Sequence, residues 1–268
     1  MSVQTLYTAA TGMEALETKL EVIANNLANV NTLGFKKDRA NFEDLLYRHQ
    51  VLPGAQDSGS NRTATGISLG LGSRVQGIQT DFRQGAFQPT GKSTDLAIEG
   101  RGFFQIQDAA TGQILYTRAG NFDINEQGQL VLASAQTGRL LEPNITIPRD
   151  ATDIVVQADG NVLYRQAGSS TLQQAGQIQL ANFINPDGLL KLGENLYAAT
   201  DASGQPIVGT PGTDGLGVIR QNALEASNVE PVQELIDLIT TQRSFELNSQ
   251  AVQAGDQILQ IIANLRRA

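Results

Sequence analysis

The residues that could do covalent chemistry in this chain are few, and their spacing builds none of the usual sites. Its 268 residues include no cysteine and one histidine, His49. The first absence removes thiol nucleophiles, disulfides and thiolate metal centres, and a lone imidazole rules out a multi-histidine metal site. The 27 Asp and Glu residues could supply a carboxylate pair for hydrolysis. None, however, stands in a motif with a partner base, and no Gly-x-Ser-x-Gly elbow is present. Gly70-Leu71-Gly72 and Gly100-Arg101-Gly102 resemble fragments of a dinucleotide loop, but neither has the third glycine or opens an amphipathic helix. Tight turns and strand bends account for both. Asn61-Arg62-Thr63 and Asn144-Ile145-Thr146 match a glycosylation sequon, which has meaning only on a eukaryotic secretory route. No enzyme activity, cofactor or metal is expected.

Bulk composition excludes other classes. With 19 basic against 27 acidic residues the net charge is −8, and no basic cluster exceeds a pair, so nucleic acid and anionic membrane surfaces are poor partners. No apolar run approaches 18 residues, so no membrane insertion is expected. The opening MSVQTLYTAATGME lacks the basic and apolar regions of a cleavable signal, which implies either the cytoplasm or export by a route that needs no such signal. Aromatics are only 5% while glycine reaches 27 residues, the texture of a turn-rich β body.

The elements that carry these residues fall into three blocks. At the N-terminus Leu6, Ala9, Met13, Leu16, Leu20, Ile23, Leu27 and Val30 follow one another in steps of three and four, the spacing of a coiled-coil seam. A helix over 3–31 is predicted. Its end carries Asn25, Asn26, Asn29 and Asn31, poor helix formers. Either they mark a helix running out, with Gly34 as the stop, or they are buried between helices, where Asn fixes register. At the other end, 228–268 is predicted helical, with Asn228 as N-cap and Arg266 and Arg267 at the C-terminal end. There Leu238, Phe245, Val252 and Leu259 repeat every seven residues, the intervening positions being Thr241, Asn248 and Gly255 until Ile262. Between them, from about 74 to 222, short alternating pieces such as Phe104/Ile106, Phe122/Ile124, Ile145/Ile147 and Val162/Tyr164 are separated by turn signals, as in an all-β domain built of hairpins. Residues 48–72, rich in Gly, Ser, Thr and Asn, read as a flexible or extended loop.

The fold class expected is therefore α+β: N- and C-terminal helices pairing as a coiled-coil-like core, with a central all-β domain of short antiparallel strands. Residues 1–31 and 225–268 would form the helical core, 32–73 an extended connection, and 74–224 the β-rich outer domain. Each helix buries a seam too narrow to stand alone in water. Pairing with each other and with copies from neighbouring molecules would bury both, and heterologous contacts whose rotation does not close give an open helical assembly.

Several tracts resemble the bacterial flagellar rod and hook protein family: IANNLANVNTLGFKK at 23–37, FEDLLY at 42–47, DLAIEGRGFFQI at 95–106, YTRAGNFDINEQGQLV at 116–131, GENLY at 193–197 and the long run from Ser227 to Leu259. The motif matches at Asn25, Asn26, Leu27, Asn29, Asn31, Gly34 and Phe35; Leu33 departs from it, where a smaller or polar residue would be expected. The resemblance implies an axial subunit that stacks into a hollow, torque-bearing shaft. It also implies self-association, proximal rod and hook neighbours, ring proteins of the peptidoglycan and outer membrane around it, and delivery by the flagellar export apparatus. Pro53, Gly54, Ala55 and Gln56 resemble an insertion that distinguishes distal rod subunits and is thought to stiffen the rod. Other readings are a proximal rod or short hook subunit, a secreted β-domain binding module, and a carboxylate hydrolase.

Overall fold

In the computed structural model the structure describes residues 3–54, 56, 62, 64–108, 111–134, 137–168 and 171–265. They form two compact units. One gathers residues 1–28, 38–80 and 230–268; the other gathers 29–37 and 81–229. The stretch 32–73, expected as a connection, is thus divided: its first residues belong to the β-rich unit and the rest to the helical one.

The helical unit is built on α1 (Val3–Ala28) and α2 (Pro231–Leu265), which contact each other. At 26 and 35 residues and 1.5 Å per residue they run about 39 and 52 Å. Proline suits the first position of α2 because its missing N–H would have no partner there. Two ribbons complete the unit. β1 (Asp38–Asp44) pairs antiparallel with β4 (Ser73–Thr80), with an irregularity at Asn41/Phe42, and β2 (Tyr47–Val51) pairs with β3 (Ile67–Gly70). The glycine-rich stretch from 48 is therefore partly a β ribbon. α1 also contacts β1 and β4. Gly72, just before β4, comes close to α1: its φ is +123° and a Cβ there would stand 2.1 Å from Thr11 Oγ1.

The β-rich unit contains β5 (Phe87–Pro89), β6 (Leu96–Glu99), β7 (Phe103–Gln107), β8 (Ile114–Thr117), β9 (Phe122–Ile124), β10 (Leu130–Leu132) and β11 (Arg139–Glu142). A nine-stranded sheet runs Leu190–Gly193, Leu196–Ala198, β8, β7, β11, β10, β9, with Leu180–Asn182 pairing both β7 and Ile207–Gly209. The strands 151–156, 161–166 and 172–177 form a separate three-stranded sheet. The core of Leu96, Ile98, Phe104, Ile106, Phe122 and Leu141 is fully or almost fully buried. A second cluster stacks Phe82, Phe103, Tyr116, Phe183 and Tyr197 with ring centroids 4.8–5.9 Å apart, the edge-to-face range for aromatic pairs. Ile145 and Ile147 are buried as expected but lie outside regular strands. β7 is buried on both sides, Phe104 and Ile106 facing the larger core and Phe103 the aromatic cluster.

Candidate assembly surfaces

The positions predicted as a seam on α1 differ in burial. Ile23 is buried, and Leu6, Met13, Leu16, Leu20 and Leu27 are half-buried. Val30 is not on the helix: α1 ends at Ala28, and Val30 sits in the turns that follow, within the β-rich unit. The asparagines separate by role. Asn26 is 1% exposed. Its Nδ2 donates to Asp38 O (2.9 Å) and to Glu234 Oε2 (3.3 Å), and its Oδ1 accepts from Asp38 N (2.9 Å). One side chain thus closes the excursion 27–37 and ties the end of α1 to the start of α2. Asn25 and Asn31 are exposed and Asn29 is half-buried. Of the four asparagines, Asn26 is the one that is buried where the two helices meet.

Gly34 is not the helix stop, since it comes six residues after Ala28. It has φ +67°, its N–H donates to Glu225 O (2.8 Å), and a Cβ there would stand 2.8 Å from Ala119 N. Phe35 is half-buried with the Lys191 ammonium 5.8 Å from its ring centroid.

On α2, Leu238, Phe245, Val252 and Leu259 are half-buried. The positions between them are covered too: Glu234 is 6% and Thr241 2% exposed, Gly255 is buried and Asn248 half-buried. Covered residues at 234, 238, 241, 245, 248, 252, 255 and 259 follow steps of four and three throughout. Small and polar side chains in that row allow close approach, as where Gly12 meets Asn248 Nδ2. Ile262 lies on α2, with its side chain outside the described set. Asn228 does not cap the helix, which begins three residues later. Its Oδ1 accepts from Lys37 N (2.8 Å) and its Nδ2 donates to Asp81 O (2.8 Å), so the amide joins three chain segments instead.

Outside these rows the helical unit leaves apolar surface uncovered. On α2, Val232 is 71% exposed, Ile239 58% and Leu247 65%, with Leu235, Ile236 and Ile261 also exposed. The β2–β3 ribbon exposes Tyr47, Val51, Leu52, Ile67 and Leu69, and every residue of its strands is exposed. Pro53 and Gly54 form a turn after β2, Gln56 bridges to Arg62, and Ala55 lies outside the described residues.

Sequence reasoning missed a buried charge cluster in the β-rich unit. Lys36 and Glu225 have fully buried side chains 2.6 Å apart. Lys36 Nζ also donates to Arg83 O (2.7 Å), and the Gly85 N–H donates to Glu225 Oε1 (2.9 Å). Arg118 Nη1 stands 3.5 Å from Glu225 Oε2, its Nη2 donates to Gly100 O (2.8 Å), and its guanidinium lies over the Phe103 ring. Burial pulls both the Lys36 ammonium and the Arg118 guanidinium below their usual pKa, against the opposing pull of Glu225. Two cations and one carboxylate lock segments 34–36, 83–85, 118 and 225 together. The sequence shows only Lys36-Lys37 and a lone Glu225, which read as solvent charge; the GFKK motif was the one available signal.

The candidates for chemistry remain scattered. His49 is exposed on β2, and the described residues contain no group of three His, Cys, Asp or Glu side chains that could hold a metal. Gly70-Leu71-Gly72 is the bend between β3 and β4, and Gly100-Arg101-Gly102 joins β6 to β7 with φ of 113° and 131° at its glycines.

Three family models match in chain order and place this architecture in the class of flagellar rod and hook proteins. They are the flagella basal body rod protein model at residues 6–36, the flagellar hook protein FlgE/F/G D1 domain at 97–164, and the flagellar basal body rod FlgEFG protein C-terminal model at 220–265. The flagellar basal-body rod protein FlgG of Caulobacter vibrioides is 44% identical over 98% of this chain and 99% of its own. That of Bacillus subtilis is 40% identical over 98% and 99%. A flagellar hook protein FlgE of Borreliella burgdorferi is 41% identical over 48% of this chain and 28% of its own. The chain belongs to the FlgG family of flagellar basal-body rod proteins.

Proposed function

We propose that this chain is a structural subunit of the distal rod, polymerising through its terminal helices into the hollow shaft that passes torque to the hook. The observation that carries the reading is α2: one side is covered along an unbroken three-and-four row, while Val232, Ile239 and Leu247 stand 71%, 58% and 65% exposed elsewhere on it. Large apolar side chains left exposed along a long helix mark an interface still to be covered. Pairing of α1 with α2 is coiled-coil-like in its spacing, and the neighbours that complete it are further copies. Proximal rod subunits lie below, the hook above, and the peptidoglycan and outer-membrane ring proteins around the shaft. The subunit crosses the periplasm after passage through the flagellar export apparatus. The described residues contain no helix long and apolar enough to cross a membrane. The work of the molecule is mechanical, and no catalysis is required of it. The β2–β3 ribbon, with Pro53 and Gly54 following β2, fills gaps between neighbours and stiffens the rod.

The test is electron microscopy of basal bodies from cells carrying Leu20→Asp or Phe245→Asp in place of the natural gene. A charge in a buried seam costs several kcal/mol, so shafts should stop short of the outer rings and carry no hook, as in cells lacking the gene. Rods of normal length from either variant, or intact hooks without the gene, would overturn the proposal.

A further inference from the structure

The exposed residues of α1 form their own regular row. Tyr7, Ala10, Glu14, Glu17, Glu21, Ala24 and Ala28 are all exposed and follow steps of three and four. The row lies one residue beyond the α2 seam around the helix. It is distinct from the third row, where Thr8, Thr11, Ala15 and Val22 are half-buried or buried and where Thr8 and Thr11 meet Gly72. Its only charges are three carboxylates, and none of them forms an ion pair with a described residue. An acidic row alone assigns nothing. α2, however, carries a matching one.

Ile236, Thr240, Arg243, Leu247, Gln250, Ala254, Gln257 and Ile261 are also all exposed and also follow steps of four and three. Arg243 is the only charged residue in that row. The alternative exposed row, through Leu235 and Ile239, carries Glu246 and Asp256 and would repel the glutamates of α1. Charge thus selects one of the two free faces of α2.

The heights of the two rows also agree. Gly12 lies against Asn248, and Asn26 against Glu234, so fourteen residues forward on α1 match fourteen backward on α2 and the helices run antiparallel. Glu17 is five residues after Gly12 and Arg243 five before Asn248, so within one chain the two are level, and a copy seated alongside at the same height would bring one opposite the other. By the same count Ile236 is level with Ala24, and Gln250 with Ala10, which sets larger side chains opposite small ones. At 1.5 Å per residue, Glu14 to Glu21 spans about 10 Å, so Arg243 would still meet a carboxylate if the partner were shifted by about 5 Å either way.

We propose that the outer row of α1 docks against the Arg243 row of α2 in a second copy of this chain, with Arg243 received among Glu14, Glu17 and Glu21. This rests on the polymer reading above and specifies its lateral contact. Arg243 Nη1 is now held by Glu246 Oε2 at 2.8 Å, with its side chain 75% exposed. A guanidinium has five donors and can serve a second carboxylate while keeping the first. Both rows end in uncharged residues, so the ion group is flanked by surface that can exclude water.

The chain has no cysteine, which makes the test direct. Full-length Glu17→Cys and Arg243→Cys chains are mixed, polymerised together at high concentration, checked by electron microscopy and oxidised. Each chain has one thiol, so every disulfide joins two copies, and it requires Cα atoms within about 7 Å. The expected result is mixed dimers approaching half of the protein, the ceiling when the two chains mix at random, and at least fivefold above the pairing of Glu17→Cys with Gln242→Cys, an exposed position at nearly the same height on the other face. Arg243→Glu should abolish polymers, and Glu17→Arg in the same chain should restore them. Polymers that form while the two pairings cross-link equally, and that survive Arg243→Glu, would overturn this contact and leave the polymer reading standing. Failure of the unaltered chain to polymerise, with no hook defect in cells lacking the gene, would overturn both.

Discussion

The Lys36–Glu225–Arg118 cluster makes an asymmetric prediction. Glu225→Gln removes the only carboxylate and leaves two cations buried beside each other, each already pushed toward its neutral form by desolvation. Leaving a buried charge without its partner costs about 3–5 kcal/mol. Lys36→Met is different. It loses donations to Arg83 O and Glu225 Oε1, but Glu225 keeps the Gly85 N–H and the Arg118 guanidinium, and the repulsion between Lys36 and Arg118 is relieved. The expected cost is about 1–3 kcal/mol, the range for orphaning a buried hydrogen-bond partner. Urea unfolding followed by near-ultraviolet circular dichroism reads the right unit, because Tyr116 and Tyr197 sit buried in its aromatic cluster. With a slope of about 2 kcal/mol/M, Glu225→Gln should lower the midpoint by about 1.5–2.5 M and Lys36→Met by about 0.5–1.5 M. A Lys36→Met chain less stable than Glu225→Gln, at unchanged slope, would refute the idea that the carboxylate is the hub.

Two further outcomes follow. Asn26→Asp removes the amide that donates to Asp38 O and Glu234 Oε2 and sets a second carboxylate against Glu234. It should cost about 2–4 kcal/mol, seen as faster amide exchange at the joined ends of α1 and α2, with β-unit exchange unchanged. In acid, the Arg83 side chain holds Asp81 below its usual pKa, hydrogen bonding by Thr111 does so for Asp108, and the Ile124 N–H for Asp123. A depressed carboxylate pKa stabilises the fold at pH above the unfolded value of 3.8, and that stabilisation is lost as pH falls through the folded value. Melting temperature should therefore hold near neutral pH and drop below about 4, and Asp81→Asn should flatten the drop.

The two helices were legible because apolar residues at three-and-four spacing line up only when the backbone coils into a helix that buries one side. What stayed hidden was the polar half of the α2 row. Glu234, Thr241 and Asn248 look like solvent positions until α1 covers them, and nothing local to those residues announces the cover. Lys36 was hidden for the same reason on a larger scale, since its partner lies 189 residues away. The helix end was misplaced by three residues because Val30 continues the periodicity after α1 has ended at Ala28. The ribbon 47–70 was concealed by composition: glycine, serine and threonine suggest a loop, whereas here the pairing runs between Tyr47 and Gly70 without burying either strand.

The antiparallel run of α1 beside α2 sets how the helical unit responds to direction of pull. A force along the helix axes slides one helix past the other, and every contact from Gly12/Asn248 to Asn26/Glu234 must give way together, which is loading in shear. A force across the axes peels the pair apart one turn at a time. Peeling can start only from the chain ends, because at the other end the Asn26 side chain is bonded to both Asp38 and Glu234. The pair is therefore strong lengthwise and at its clasped end, and weakest at its other end, where by the same register Leu6 is level with Ala254 and a copy seated alongside would add the most.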